Sequence, residues 1–259
     1  MAGFEAFIDR VRDFVAELEA GGAELERIVA ADYQDTGRLC VRVGPRANTG
    51  VILRSDTFAE LGNPELGSCG MVLWCDDPSR VADGRITRIG PDISAAAGGG
   101  LPFAQIVLVA GRELGPDDHS TIVQSQYVAD QIEGFMVRSS SSNLWCRVSK
   151  EAAAKGFRLE TLGRAMLALT RRSVPRAEAV EIVFVTSSPE HVRLLRSIAD
   201  EARELGRQMV EQYWKERGFD LECDFDCNSC ADQSVCDGIR EIARLRSKHP
   251  PAANGDRSR

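Results

Sequence analysis

Four of the chain's eight cysteines, Cys223, Cys227, Cys230 and Cys236, crowd into one stretch with the spacing C-x3-C-x2-C-x5-C. Such spacing lets four thiolates converge on a single site without help from distant sequence, which constrains the local fold more than an apolar pattern does. The set suits a [4Fe–4S] cluster, which needs four soft sulfur ligands around a body larger than one ion. Zinc is the alternative, although a structural zinc site more often pairs two C-x2-C knuckles across a longer spacer. Glu222, Asp224, Asp226, Asp232 and Asp237 surround the motif with negative charge. A cluster there should favour its oxidised state, because reduction adds an electron to an already negative site. In a reducing compartment such thiols bind metal rather than pair as disulfides. Cys40, Cys69, Cys75 and Cys146 are scattered, and the isolated Cys69 and Cys75 read as small buried hydrophobes.

The remaining sequence must form a packed core. At 259 residues, 43% hydrophobic and 27% charged, the chain has the composition of one or two globular domains. Its longest apolar runs, Ile106 to Ala110 and Ile182 to Val185, fall far short of the roughly 20 residues that cross a bilayer. The N-terminus has no basic-then-apolar signal pattern, so a cytoplasmic protein without membrane contact is expected. A net charge of -7 argues against a general phosphate-backbone binder, so no nucleic-acid partner is expected.

Periodicity supplies the elements. Phe4, Phe7, Ile8, Val11, Phe14, Val15 and Leu18 place one apolar stripe on a helix that Gly21-Gly22 should stop. Leu39 to Val43, Met71 to Trp74 and Arg85 to Ile89 read as strands joined by turns. Gly98-Gly99-Gly100 precedes a strand rather than opening a helix, so it reads as a structural loop and not a phosphate cradle; Gln105 to Ala110 then forms a buried strand. Leu144 to Val148 is another strand, Ser149 caps a short helix over Lys150 to Lys155, and Gly156 ends it. A second helix carries Leu159, Leu162, Met166, Leu167 and Thr170 and ends before Pro175, and Val180 to Thr186 is a further buried strand.

The longest helix is expected from Pro189 to Arg217, with Ser187 and Glu190 at capping-box spacing and Gly218 as its stop. The cysteines follow it, then a short helix over Asp237 to Arg246 and a tail rich in Pro, Gly and Ser. The order implies an α+β (or α/β) fold, a mixed sheet with packed helices, whose long helix leads into the C-terminal cysteine module.

Hydrolytic chemistry is poorly served. The sequence has no G-x-S-x-G elbow, H-E-x-x-H helix or P-loop, and its three histidines are His119, His191 and His249. His119 in an expected loop and His191 in the first turn of the long helix read as solvated surface residues.

Several motifs then fall in register: Asp83-Gly84-Arg85-Ile86-Thr87-Arg88-Ile89-Gly90-Pro91-Asp92-Ile93, Leu101-Pro102-Phe103, Glu133-Gly134-Phe135, Leu144 to Ala152 and Lys155-Gly156 through Leu162-Gly163. In order and spacing they resemble the central part of acetyl-CoA synthase, the β subunit of the carbon monoxide dehydrogenase/acetyl-CoA synthase complex. The resemblance runs from about Thr49 to Ile242. In that family the long helix leads into a C-x2-C-x8-C-type segment holding the iron–sulfur half of the nickel-containing A-cluster. The resemblance places Cys227, Cys230 and Cys236 as its first three cysteines with a shortened loop, and Cys223 as the substitute fourth ligand.

The family pattern continues into a large domain whose C-x-C segment holds the distal nickel, and no C-x-C occurs in this sequence. The resemblance therefore implies a framework without its nickel-bearing domain. It also implies candidates for coenzyme A or acyl-CoA: Trp145 to stack on adenine, with Arg147, Lys150, Arg158 and Arg164 for phosphates. A core role for Trp145 with solvated cations is the competing reading.

The expected organisation is an N-terminal helix and lead-in over 1–48, the acetyl-CoA-synthase-like domain over 49–218, the cysteine segment over 219–246 and an unstructured tail over 247–259. The expected function is an iron–sulfur protein of one-carbon or acyl-CoA metabolism, a subunit, scaffold or electron-transfer partner in a multi-subunit complex. One alternative is a CO-methylating, acetyl-CoA-synthase-type acyltransferase working with a separate chain. Another is a zinc-stabilised interaction module whose Phe4 to Leu18 helix docks a partner.

Overall fold

The computed structural model describes residues 3–216, apart from residues 34, 46, 48, 49, 98, 141 and 142. Cys223, Cys227, Cys230 and Cys236, the helix expected over 237–246 and the tail over 247–259 lie outside the described residues.

The elements run α1 (Glu5–Ala20), β1 (Leu25–Val29), β2 (Thr57–Leu61), β3 (Ser68–Cys75), β4 (Arg85–Ile89), β5 (Gly100–Leu101), β6 (Phe103–Ala110), α2 (His119–Gln124), β7 (Phe135–Ser140), β8 (Asn143–Ser149), α3 (Lys150–Ala154), α4 (Leu159–Ser173), β9 (Ala179–Val185) and α5 (Pro189–Glu216). Short 3-10 turns join several of them. The architecture is α+β, as the order of patterns implies, but its strands form two mixed sheets. A five-stranded sheet has the order β1-β4-β9-β6-β3, and a four-stranded sheet the order β5-β2-β8-β7.

In the larger sheet, β6 lies antiparallel to β9 and parallel to β3, and every residue of β6 and β9 is buried. That explains their near-continuous apolar sequences: both faces are covered, so no alternation is needed. α4 packs on the face bearing Ile86, where a Cβ on Gly163 would come within 2.8 Å of the Ile86 side chain. Only glycine lets helix and sheet approach this closely. α1 lies over the face bearing Arg85 and Glu181, and α5 runs along β3 and touches α1. The smaller sheet turns Leu144, Cys146 and Val148 inward and Trp145, Arg147 and Ser149 outward, the period-2 pattern of a half-buried strand. No helix among the described residues is long and apolar enough to cross a membrane.

Four local expectations are corrected. Leu39 to Val43 forms no strand: Val43 makes one antiparallel bridge to Ile132, and the Arg42 backbone is held by Glu133 instead of a neighbouring strand. The cap of α5 is Ser188, whose Oγ accepts the His191 N–H at 3.2 Å, while Ser187 Oγ lies 2.7 Å from His191 Nδ1. His119 is not a solvated loop residue. It opens α2, accepts the Trp74 indole N–H at Nδ1 (3.1 Å) and stacks on Phe4, so burial pushes its pKa down to about 4. Finally, β1, β2 and β7 were not expected, because Glu26 and Arg27, Glu60, and Arg138 interrupt their apolar character.

Candidate functional site

The outward face of β8 organises the only cluster that unites more than one of the expected ligand residues among those described. Arg147 lies opposite Glu60 of β2 and Met136 of β7. Its Nε donates to Glu60 Oε1 at 3.0 Å, its Nη1 to the Ile52 carbonyl at 2.9 Å, and its guanidinium sits 4.4 Å from the Trp145 ring centroid. One planar cation thus pairs, hydrogen-bonds and stacks at once, which an ammonium does less well. Lys150, at the start of α3, donates Nζ to the Ser55 carbonyl at 2.7 Å. The Ile52 N–H meets Met136 Sδ at 3.4 Å, and Thr57 Oγ1 donates to the Leu53 carbonyl at 2.9 Å. Together these contacts fasten residues 50–57 as a strap across the sheet. Arg147 and Lys150 each use one donor on a backbone carbonyl of the strap.

Beside the strap lies a cavity of about 610 Å³ whose charged lining is Arg42, Asp56, Glu133, Lys150, Glu151 and Lys155. Glu133 is its centre. The carboxylate accepts from the Arg42 side chain at 3.0 Å and from the Arg42 backbone at 3.1 Å, and these bonds hold its pKa below the ordinary carboxylate value. Lys155 Nζ stands 3.8 Å from Glu133 and 2.8 Å from Glu151. With three cations and three carboxylates in its lining, the cavity has no excess positive charge for a polyphosphate. Glu133 belongs to one of the motifs quoted above, but its role was missed, because its partner Arg42 lies in a segment read as a strand.

Arg158 and Arg164 stand outside this lining. Arg158 is the exposed N-cap residue of α4, and Arg164 pairs with Glu160 at 3.0 Å and Asp32 at 3.5 Å. Trp145, Arg147 and Lys150 therefore share one region of the fold, and the other two arginines belong to α4.

The described thiols do not form a ligand set. Cys69 and Cys146 are fully buried and Cys75 nearly so; burial raises all three, Cys69 to about 12. Among the described residues no group of three His, Cys, Asp or Glu side chains is placed to hold a metal ion. The four-cysteine segment is the remaining donor set, and its four soft thiolates match the chemistry of an iron–sulfur cluster.

A family model described as CO dehydrogenase/acetyl-CoA synthase complex beta subunit matches residues 39–192, which hold both sheets except β1, and α2 to α4. The chain belongs to this family. It is 33% identical to the acetyl-CoA decarbonylase/synthase complex subunit beta of Methanopyrus kandleri, over 68% of this chain and 40% of that protein. It is 31% identical to the protein of that name from Methanothermobacter thermautotrophicus, over 67% and 39% of the two chains. For the Archaeoglobus fulgidus protein of that name the identity is 28%, over 71% and 36%. The chain spans about two fifths of the length of the first two relatives.

The family motifs have structural assignments here. In Ile89-Gly90-Pro91-Asp92, Gly90 has φ +101° and a Cβ there would lie 2.5 Å from the Ser187 nitrogen, while Thr186 Oγ1 donates to the Pro91 carbonyl at 2.6 Å. The motif ties the end of β4 to the end of β9. In Trp145-Cys146-Arg147-Val148-Ser149-Lys150, Arg147 and Lys150 hold the strap region, Trp145 stacks on Arg147, and Ser149 Oγ caps α3 by accepting the Ala152 N–H at 3.1 Å.

Proposed function

We propose that this chain serves in a CO dehydrogenase/acetyl-CoA synthase-type assembly as an iron–sulfur subunit, a scaffold and electron-transfer partner in one-carbon or acyl-CoA metabolism. The observation that carries the reading is the join between family core and cysteines. The family match ends at residue 192, inside α5, and the same chain continues from that helix to Cys223, Cys227, Cys230 and Cys236.

α5 has 28 residues, about 42 Å of helix, and its Val192, Leu195, Ile198, Ala202 and Met209 are buried against the core. A helix anchored along that length gives the segment after it a fixed point of departure. The four thiolates would hold a [4Fe–4S] cluster, which when bound supplies one-electron transfer. Glu222, Asp224, Asp226, Asp232 and Asp237 add negative charge around those ligands and oppose reduction. No C-x-C occurs in these 259 residues, so the reading assigns nickel chemistry to none of them.

Cysteine substitution tests the ligand assignment. Cys227→Ser and Cys230→Ser are expected to abolish the visible absorption and the reduced-state EPR signal of the anaerobically purified protein. Cys69→Ser and Cys75→Ser should leave both in place. Retention of the full signal in both ligand variants contradicts the assignment.

A further inference from the structure

The face of the five-stranded sheet beneath α1 contains a charge imbalance. A cavity of about 420 Å³ lies between α1 and strands β1, β4, β9 and β6, and three guanidinium groups line it: Arg12, Arg27 and Arg85. Two are matched. Arg27 makes a bidentate pair with Glu19, both bonds 2.7 Å, and Arg85 donates Nε at 2.9 Å and Nη2 at 2.7 Å to Glu181 Oε1. Glu181 is also satisfied from the Ala82 backbone at 2.9 Å, and its side chain is only 3% exposed.

Arg12 is half-buried on α1 and, among the described residues, has neither a hydrogen-bond nor an ion-pair partner. Three guanidinium groups stand against the carboxylates of Glu181, which lines the recess, and Glu19, which lies outside its lining, and this leaves the Arg12 charge uncompensated. Thr87, buried on β4, also lines the recess. Glu181 and Ser79 also line it, and the rest of the wall is apolar, with Val11 and Val15 of α1 facing Leu108 and Val183 of the sheet.

We propose that this cavity binds a small monoanionic carboxylate carrying a short apolar body. Arg12 and the free Nη1 of Arg85 supply donors for the carboxylate, a geometry guanidinium groups favour, and the Thr87 hydroxyl supplies a third. The valines and Leu108 cover the hydrocarbon. The volume lies within the about 300–1,000 Å³ typical of ligand pockets, towards its lower end, and is ample for a ligand the size of hexanoate. Glu181, itself in the lining, holds Arg85 in place and adds a negative charge, so a monoanion is favoured over inorganic phosphate in its dianionic form.

The test is calorimetric titration of the full chain with hexanoate, with hexanol and inorganic phosphate as comparison ligands. Hexanoate is expected to saturate one site, with hexanol and phosphate each at least about tenfold weaker, and Arg12→Gln is expected to weaken hexanoate about tenfold. Arg10→Gln, on the same helix but paired with Glu201, should bind as the unsubstituted chain does. Val15→Phe, which fills the cavity, should abolish binding while the melting temperature reports that the chain is folded. No saturation by hexanoate, equal binding of phosphate, or unchanged affinity in folded Arg12→Gln overturns the proposal.

Discussion

The Asp92 carboxylate accepts the backbone N–H of Leu159 at 3.0 Å across 67 residues of sequence, through the same Oδ1 that accepts the Ile93 N–H at 2.6 Å. Arg158, the N-cap residue of α4, makes no side-chain cap, so the helix borrows its capping oxygen from the turn after β4. Asp92→Ala should therefore lower stability by about 1–3 kcal/mol, with Asp92→Asn recovering part of the loss. Urea denaturation followed by circular dichroism checks this, and a loss below about 0.3 kcal/mol in Asp92→Ala would show that the bond does not support α4.

His119 makes stability depend on pH. Its pKa falls from the ordinary 6.5 to about 4 in the folded chain because burial against Phe4 and Trp74 penalises the charged ring. Between those values the unfolded chain binds the extra proton, so stability rises with pH there. The contribution is complete above about pH 6.5 and lost as pH falls to about 4. His119→Gln, which retains an acceptor for the Trp74 indole, should flatten denaturation midpoints over that window. An unchanged pH dependence in the variant would mean that other groups cause it.

Thiol accessibility separates Cys40 from the other scattered cysteines. Cys40 is exposed, whereas Cys69, Cys75 and Cys146 are buried and their thiols raised. At pH 8 under native conditions, iodoacetamide should modify Cys40 and leave those three intact, with all four reacting in urea. Peptide mass mapping reads the outcome, and native labelling of Cys146 would place β8 wrongly.

Arg147 and Lys150 each donate to a backbone carbonyl of residues 50–57 and Arg147 also pairs with Glu60, so coenzyme A would have to compete with these contacts. Titration with coenzyme A, read by Trp145 fluorescence, is expected to be flat. Arg147→Ala should alter that fluorescence without ligand and destabilise the chain by about 1–3 kcal/mol, since the buried part of Glu60 loses its partner. A saturating titration that Arg147→Ala abolishes would restore a ligand role to this face.

Helices and central strands were legible because their burial is one-sided or complete. The stripe Ile8, Val11, Phe14 and the unbroken runs of β6 and β9 report their surroundings directly. β1 was hidden because it is an edge strand whose Glu26 and Arg27 remain in water, leaving only a weak alternation. The split into two sheets depends on long-range register, which no local window contains. At the candidate site, Trp145, Arg147 and Lys150 stood out by type, but the partners that decide their use, Glu60, Ile52 and Ser55, are roughly 90 residues away in sequence and two of them act through backbone carbonyls. His119 was misread for the same reason: its environment comes from Phe4 and Trp74, not from Asp117-Asp118 beside it.

The most direct measurement of the proposed function is the iron, acid-labile sulfide and zinc content per chain after anaerobic purification. The account predicts about four iron and about four sulfide with negligible zinc. One zinc per chain without sulfide contradicts it.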